Sequence, residues 1–222
     1  MLNTNQHRTI MFNLIKDIFT SDIGKYLAFK WWTASYFLYQ LDRFSTDLDF
    51  DLLDSSKNID KELENIVQKY WTIKRWNKLI LSYGEHEVNI KIDVNRVVWE
   101  KNKYEIVNFY WTDIRVQDKS TIFANKLVAI TERHTNRDVY DIAFFFNHSF
   151  PINEDVIKER TWNDLNNLLK KIKEKLENLP KEYKILDGLW EVLDPEQKKF
   201  VKNKLISNLI SIIQMKLDFE ES

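Results

Sequence analysis

The chain has 222 residues, 44% hydrophobic and 30% charged, enough for one large domain, or a domain with a smaller appendage, around a real core. A formal charge of -1 carries no general signature of a nucleic-acid binder, and the lack of cysteine excludes disulfides and thiolate zinc sites. With no signal-peptide pattern and no run of about 18 apolar residues, a cytosolic location without membrane attachment is expected.

Only three Gly and three Pro punctuate the chain, so long elements with few tight turns are expected. Residues 5–20 carry Ile10, Met11, Leu14, Ile15 and Ile18 at helical spacing, and 25–30 reads as a short buried strand. A helix is expected from Trp32 or Thr33 to Leu41, and a strand after the Asp42-Arg43 turn. Residues 55–69 predict an amphipathic helix capped by Ser55 or Ser56. Two strands follow, 70–83 and 87–94, joined by Gly84-Glu85-His86, and 105–117 supplies one more. Helices are expected from Ser120 and from Arg137, the second placing Asp138 and Asp141 on one face, with Arg133 and His134 adding positive charge nearby. Such charges ordinarily solubilise a helix. Pro151 marks a boundary, giving domains at 1–150 and 151–222, and beyond it one helix over 154–178 and another opened by Asp194-Pro195 form a helical appendage.

The chemistry concentrates in Arg43-Phe44-Ser45-Thr46-Asp47-Leu48-Asp49-Phe50-Asp51. Its period-two pattern puts Asp47, Asp49 and Asp51 on one face of a strand and Leu48, Phe50 and Leu52 on the other. Carboxylates at i and i+2 lie about 6–7 Å apart along a strand, close enough to share a divalent cation. Mg²⁺ prefers such hard oxygen ligands, completed by substrate phosphates. A solvated acidic face on an edge strand satisfies the same pattern. In the strand at 87–94, Asn89, Lys91 and Asp93 share the face opposite to Val88, Ile90, Ile92 and Val94, which makes Asp93 a third strand carboxylate.

Taken in order, Phe29-Lys30-Trp31-Trp32-Thr33-Ala34, the acidic strand from Asp42 to Asp51, Ile90-Lys91-Ile92-Asp93, Phe123 to Ile130, Arg133, and Arg137 to Ile142 resemble the AbiEii-type nucleotidyltransferase toxins, a branch of the polymerase-β-like nucleotidyltransferases. The resemblance implies an α+β fold, a small mixed sheet flanked by helices and followed by a C-terminal helical domain. It implies Asp47 and Asp49 as ligands of Mg²⁺, or Mn²⁺ in its place, holding a nucleoside triphosphate. Asp93 would act on the acceptor hydroxyl or complete a second metal position, and Lys126 would pair with phosphate. Asp138 or Asp141 would orient Lys126 or face the substrate. Trp31, Trp32, Thr33 and Ser45 would lie at the nucleotide, with Arg133 and Arg137 at phosphate or acceptor. An RNA acceptor, such as tRNA, or a protein acceptor is implied, as is a cognate antitoxin. The departure is Trp31-Trp32, where the family carries Gly-Gly or Gly-Ser. Two indoles there predict an obstructed or remodelled pocket, with a Trp stacked on a base as the alternative. A catalytically impaired, nucleotidyltransferase-like binding protein is the competing reading of the whole chain.

Overall fold

The structure, a computed structural model, describes residues 4–75, 79–83, 88–133, 135–180 and 182–220. The chain groups into two compact units, residues 1–40 with 44–118, and residues 41–43 with 119–222. Pro151 falls inside the second.

In the first unit, α1 (Thr4–Thr20) buries His7, Met11, Leu14, Ile15 and Ile18; of the stripe its spacing predicts, Ile10 stays partly exposed and His7 joins the buried face. The chain then turns tightly at Gly24, where a Cβ would meet the Phe19 Cα at 2.7 Å, so no larger residue fits. A 3-10 turn at Gly24–Tyr26 leads into β1 (Leu27–Phe29), buried throughout, and α2 (Trp31–Leu38) follows at once. The acidic strand is β2 (Asp47–Leu52). Helix α3 (Asp60–Gln68) starts later than expected. Ser56 is drawn into a turn on the Asp54 carboxylate, and Asn58 takes the Asp60 N–H instead. The strand expected over 70–83 is two antiparallel strands, β3 (Thr72–Arg75) and β4 (Leu79–Tyr83), before β5 (Val88–Asn95). The expected turn Gly84-Glu85-His86 lies outside the described residues.

The single strand expected over 105–117 is also a hairpin, β6 (Tyr104–Phe109) and β7 (Thr112–Gln117). Its two-residue turn is Tyr110-Trp111, both at positive φ (47° and 70°), a type I′ geometry in which Asn-Gly is usual. Among the described residues the sheet has seven strands in the order β3-β4-β5-β2-β1-β7-β6, parallel at β2–β5 and β1–β7 and antiparallel elsewhere. Leu48 and Phe50 of β2 are fully buried, Phe50 against Phe19 of α1 and Phe29 of β1. Burial of each such side chain contributes about 1.5–3 kcal/mol.

The second unit is helical: α4 (Lys119–Glu132), α5 (Asn136–Asn147), α6 (Glu154–Thr161), α7 (Leu165–Glu177), α8 (Pro195–Asn203) and α9 (Leu205–Glu220). The helix expected over 154–178 is broken at Trp162, which caps α6 in the left-handed conformation (φ 58°) and is 93% exposed. Asp164 then caps α7. Asp194 and Gln197 form a reciprocal capping box at the start of α8. Helix α4 is buried from Thr121 to Ile130, Lys126 included, and Asp138 and Asp141 of α5 are fully buried. These charges do not solubilise their helices; they pair inside the unit. Among the described residues, no helix is long and apolar enough to cross a membrane.

Candidate active site

In β2 the apolar face belongs to the core and the acidic face to the site. The parallel register with β5 sets Asp47 opposite Lys91, Asp49 opposite Asp93 and Asp51 opposite Asn95. Paired residues of neighbouring strands point to the same face, about 4.8 Å apart. Asp47, Asp49 and Asp93 are therefore gathered by two strands of one unit. Asp49 is only 6% exposed, and its Oδ2 is buried without a hydrogen-bond partner. Burial, with the Asp47 charge beside it, pushes its carboxyl up to about 7. Lys30 opposes this and Asp93 adds to it.

Asp51, the third acid of the row, is spoken for. Lys30 Nζ donates to it at 2.6 Å, Gln117 Nε2 at 2.7 Å, the Tyr104 hydroxyl at 2.9 Å and Asn95 Nδ2 at 3.4 Å. The row thus divides into a satisfied structural carboxylate, Asp51, and the Asp47 and Asp49 pair next to Asp93, in which Asp49 Oδ2 is the buried oxygen without a partner. Among the described residues, no three His, Asp or Glu side chains close into a ready-made metal cage. The donors present nevertheless fit Mg²⁺, which is commonly held by one or two carboxylates with phosphates and water completing its shell. A buried carboxylate oxygen without a partner, among like charges, is what such an ion would satisfy.

Buried polar groups fix the backbone that presents these acids. His7, fully buried, donates from Nε2 to the Thr46 carbonyl at 3.0 Å, which leaves Nδ1 to accept the Tyr83 hydroxyl. Burial lowers its pKa, despite opposing contributions from Thr46 and Asp47, and keeps the ring neutral. Thr33 donates to the Asp47 carbonyl and accepts from the Ser45 hydroxyl at 2.6 Å. Both Thr33 and Ser45 are buried, and their hydroxyls are spent on holding the entry to β2. The Lys30 N–H donates to the Asp49 carbonyl at 3.0 Å. His7 had no place in the sequence reading, and Lys30 appeared there only within the Phe29–Ala34 motif, without a role of its own. The signal for His7 was its position on the α1 stripe, four residues before Met11.

At the start of α2 the Trp31 backbone lies at φ 63°, in the left-handed region that favours glycine. The two indoles are half-buried, with ring centroids 4.9 Å apart and planes 47° from each other, and Lys30 Nζ sits 4.8 Å from the Trp31 ring centre.

The second unit gathers the remaining residues singled out by sequence. Lys126 Nζ lies 2.6 Å from Asp138 Oδ1 and 2.7 Å from Asp141 Oδ2, so both acids hold it. Arg43, 1% exposed, grips Asp141 with two parallel bonds of 2.6 and 2.7 Å. The Thr135 hydroxyl (2.6 Å) and Arg133 Nε (3.3 Å) reach Asp138 Oδ2. Burial alone would raise the Asp138 carboxyl, but Lys126, Thr135 and Arg133 together hold it below the usual range. Arg137 donates to the Gly188 carbonyl at 2.7 Å. His134 lies outside the described residues. Arg43 opens the acidic motif, but its own role went unread because it lies in a turn, where no periodicity marks burial.

No curated protein matches the sequence. Among solved structures, JHP933 from Helicobacter pylori superposes with a TM-score of 0.64 at 22% identity, covering 100% of this chain and 96% of that one. MenT4, a nucleotidyltransferase toxin from Mycobacterium tuberculosis, gives 0.55 at 14% identity, covering 95% and 93%. An antigenic nucleotidyltransferase-like protein from Paracoccidioides brasiliensis gives 0.56 at 11% identity, covering 86% and 94%. At these identities the likeness establishes the fold, a mixed sheet with N-terminal helices followed by a helical region. The family model for the nucleotidyl transferase AbiEii toxin of type IV toxin–antitoxin systems matches residues 15–202. Spanning most of the sequence, that match identifies the chain as a member of the AbiEii nucleotidyltransferase toxin family.

Proposed function

We propose that this protein is a metal-dependent nucleotidyltransferase toxin that moves NMP from an NTP to a hydroxyl of an acceptor, an RNA such as tRNA or a protein, and that a cognate antitoxin restrains it. One observation carries the reading: Asp47, Asp49 and Asp93 share a sheet face, and the Asp49 carboxyl is pushed up to about 7 with one oxygen unpartnered. Asp47 and Asp49 would hold Mg²⁺ or Mn²⁺, which when bound supplies charge stabilisation to the phosphates of an in-line displacement. Asp93 takes the acceptor proton as the hydroxyl oxygen bonds to the α-phosphorus. The bond from that phosphorus to the bridging oxygen breaks, and pyrophosphate leaves with the electron pair. His7, Thr33 and Ser45 keep the β2 backbone in place. In this reading Lys126, Asp138, Asp141 and Arg133 maintain the helical unit.

The test is incubation with α-labelled NTPs, Mg²⁺ and total tRNA or total protein. Label should appear on an acceptor and vanish in Asp47→Ala. Undiminished labelling by that variant would remove the assignment. A second reading, a catalytically impaired binding protein, draws on Trp31, whose bulky side chain stands at a corner with glycine-like backbone. Restored transfer in a Trp31→Gly/Trp32→Gly variant of an inactive wild type would favour it.

A further inference from the structure

We propose that Trp31 and Trp32 form a nucleobase platform beside the acidic row, so that the donor nucleotide is recognised through the face of its base more than through its phosphate tail. The inference deepens the nucleotidyltransferase reading and rests on it. Core aromatics of this unit such as Phe29 and Phe50 are fully buried, whereas both indoles are only half-buried. With planes 47° apart, the two rings do not lie flat on one another. Trp31 also holds a backbone conformation (φ 63°) that is unfavourable for a residue with a Cβ, and such strain persists only where surrounding structure imposes it, most often at functional sites.

The surrounding structure is visible. Lys30 N–H is tied to the Asp49 carbonyl, and its ammonium bridges the Asp51 carboxylate and the Trp31 face. The Ser35 hydroxyl donates to the Trp31 carbonyl at 3.1 Å, and Thr33 is bound to the Asp47 carbonyl. The indoles are thereby fixed to the same strand that carries the acids. Lys30 takes one face of Trp31, and the remaining indole surface stacks any base, since every base has a π-face, while the rings themselves offer nothing to a phosphate. Bulk at this corner simultaneously denies phosphates the close backbone approach that small residues permit.

The experiment is calorimetric and fluorescence titration of the full chain, independent of turnover, with NTPs, the corresponding nucleosides and inorganic tripolyphosphate, with and without Mg²⁺. NTPs and nucleosides should quench Trp fluorescence, and tripolyphosphate at hundredfold excess should fail to displace an NTP. Trp32→Ala should weaken NTP binding about tenfold or more, and Trp32→Phe should restore most of it. Asp47→Ala should lose the Mg²⁺-dependent part of binding and retain base-dependent quenching. Effective competition by tripolyphosphate, or tighter NTP binding by Trp31→Gly/Trp32→Gly, overturns the platform and leaves the enzyme reading standing. Base-dependent binding as expected, without transfer to any acceptor, upholds the platform and removes the enzyme reading. No nucleotide binding by wild type or variants overturns both.

Discussion

Replacing Asp49 by Asn should make the protein more stable at pH 8 while removing its capacity to hold a cation. In the folded protein the carboxyl titrates near 7 instead of 3.8, because it is buried beside Asp47 and Asp93. A folded-state value above the unfolded one means that the folded state binds the proton more tightly. Stability therefore falls as pH rises from about 4 to about 7, and the full cost is present above that window. The rise from 3.8 to about 7 corresponds to a ceiling of about 4 kcal/mol for ionising the group in place. Asn is neutral at every pH and similar in shape, and its amide can donate to the flanking carboxylates. The expected gain is about 2–4 kcal/mol at pH 8, shrinking by about 1.4 kcal/mol per pH unit between about 7 and 4. Urea denaturation in the presence of chelator, from pH 5 to pH 8, reads it directly. Millimolar Mg²⁺ at pH 8 should stabilise the wild type and leave Asp49→Asn unmoved. A variant no more stable than wild type at pH 8, or a gain independent of pH, would refute the reasoning.

Lys126→Met strands two buried carboxylates, and even with Arg43 still on Asp141 should cost about 3–5 kcal/mol in chemical denaturation. A Lys126→Met protein of full stability that has lost only nucleotide transfer would instead make the amine a phosphate contact. Trp162→Gly, at an exposed left-handed helix cap, should stabilise by about 1 kcal/mol, read as a rise in Tm, and an unchanged or lower Tm contradicts the strain argument. Tyr110→Asn with Trp111→Gly should similarly strengthen the β6–β7 turn, and loss of stability there would show that the exposed rings hold the hairpin by contacts rather than merely tolerating it.

The acidic strand was legible because period-two alternation carries both its conformation and its facing, and Asp93 followed from the same alternation in β5. The register that sets Asp49 against Asp93 was not legible, since strand pairing is non-local. The β6–β7 hairpin and the break between α6 and α7 were hidden for a common reason. Their turns are made by Tyr110-Trp111 and Trp162, aromatic residues in conformations that sequence reading reserves for Gly and Asn, while the β3–β4 connection lies outside the described residues. Helical spacing hid the buried ion network of α4 and α5, because Lys126, Asp138 and Asp141 read as surface charges; only the family resemblance set Asp138 or Asp141 to orient Lys126, and mutual pairing makes their burial tolerable. The Thr135 cap had a local sign, a threonine three residues before Asp138. Arg43 had none.

The most direct measurement is a crystal structure of the protein with Mg²⁺ and a non-hydrolysable nucleoside triphosphate. The ion should sit on Asp47 and Asp49, filling the coordination of the unpartnered Asp49 Oδ2, with the α-phosphate turned toward Asp93. A triphosphate bound elsewhere, with that oxygen still unligated, would contradict the account.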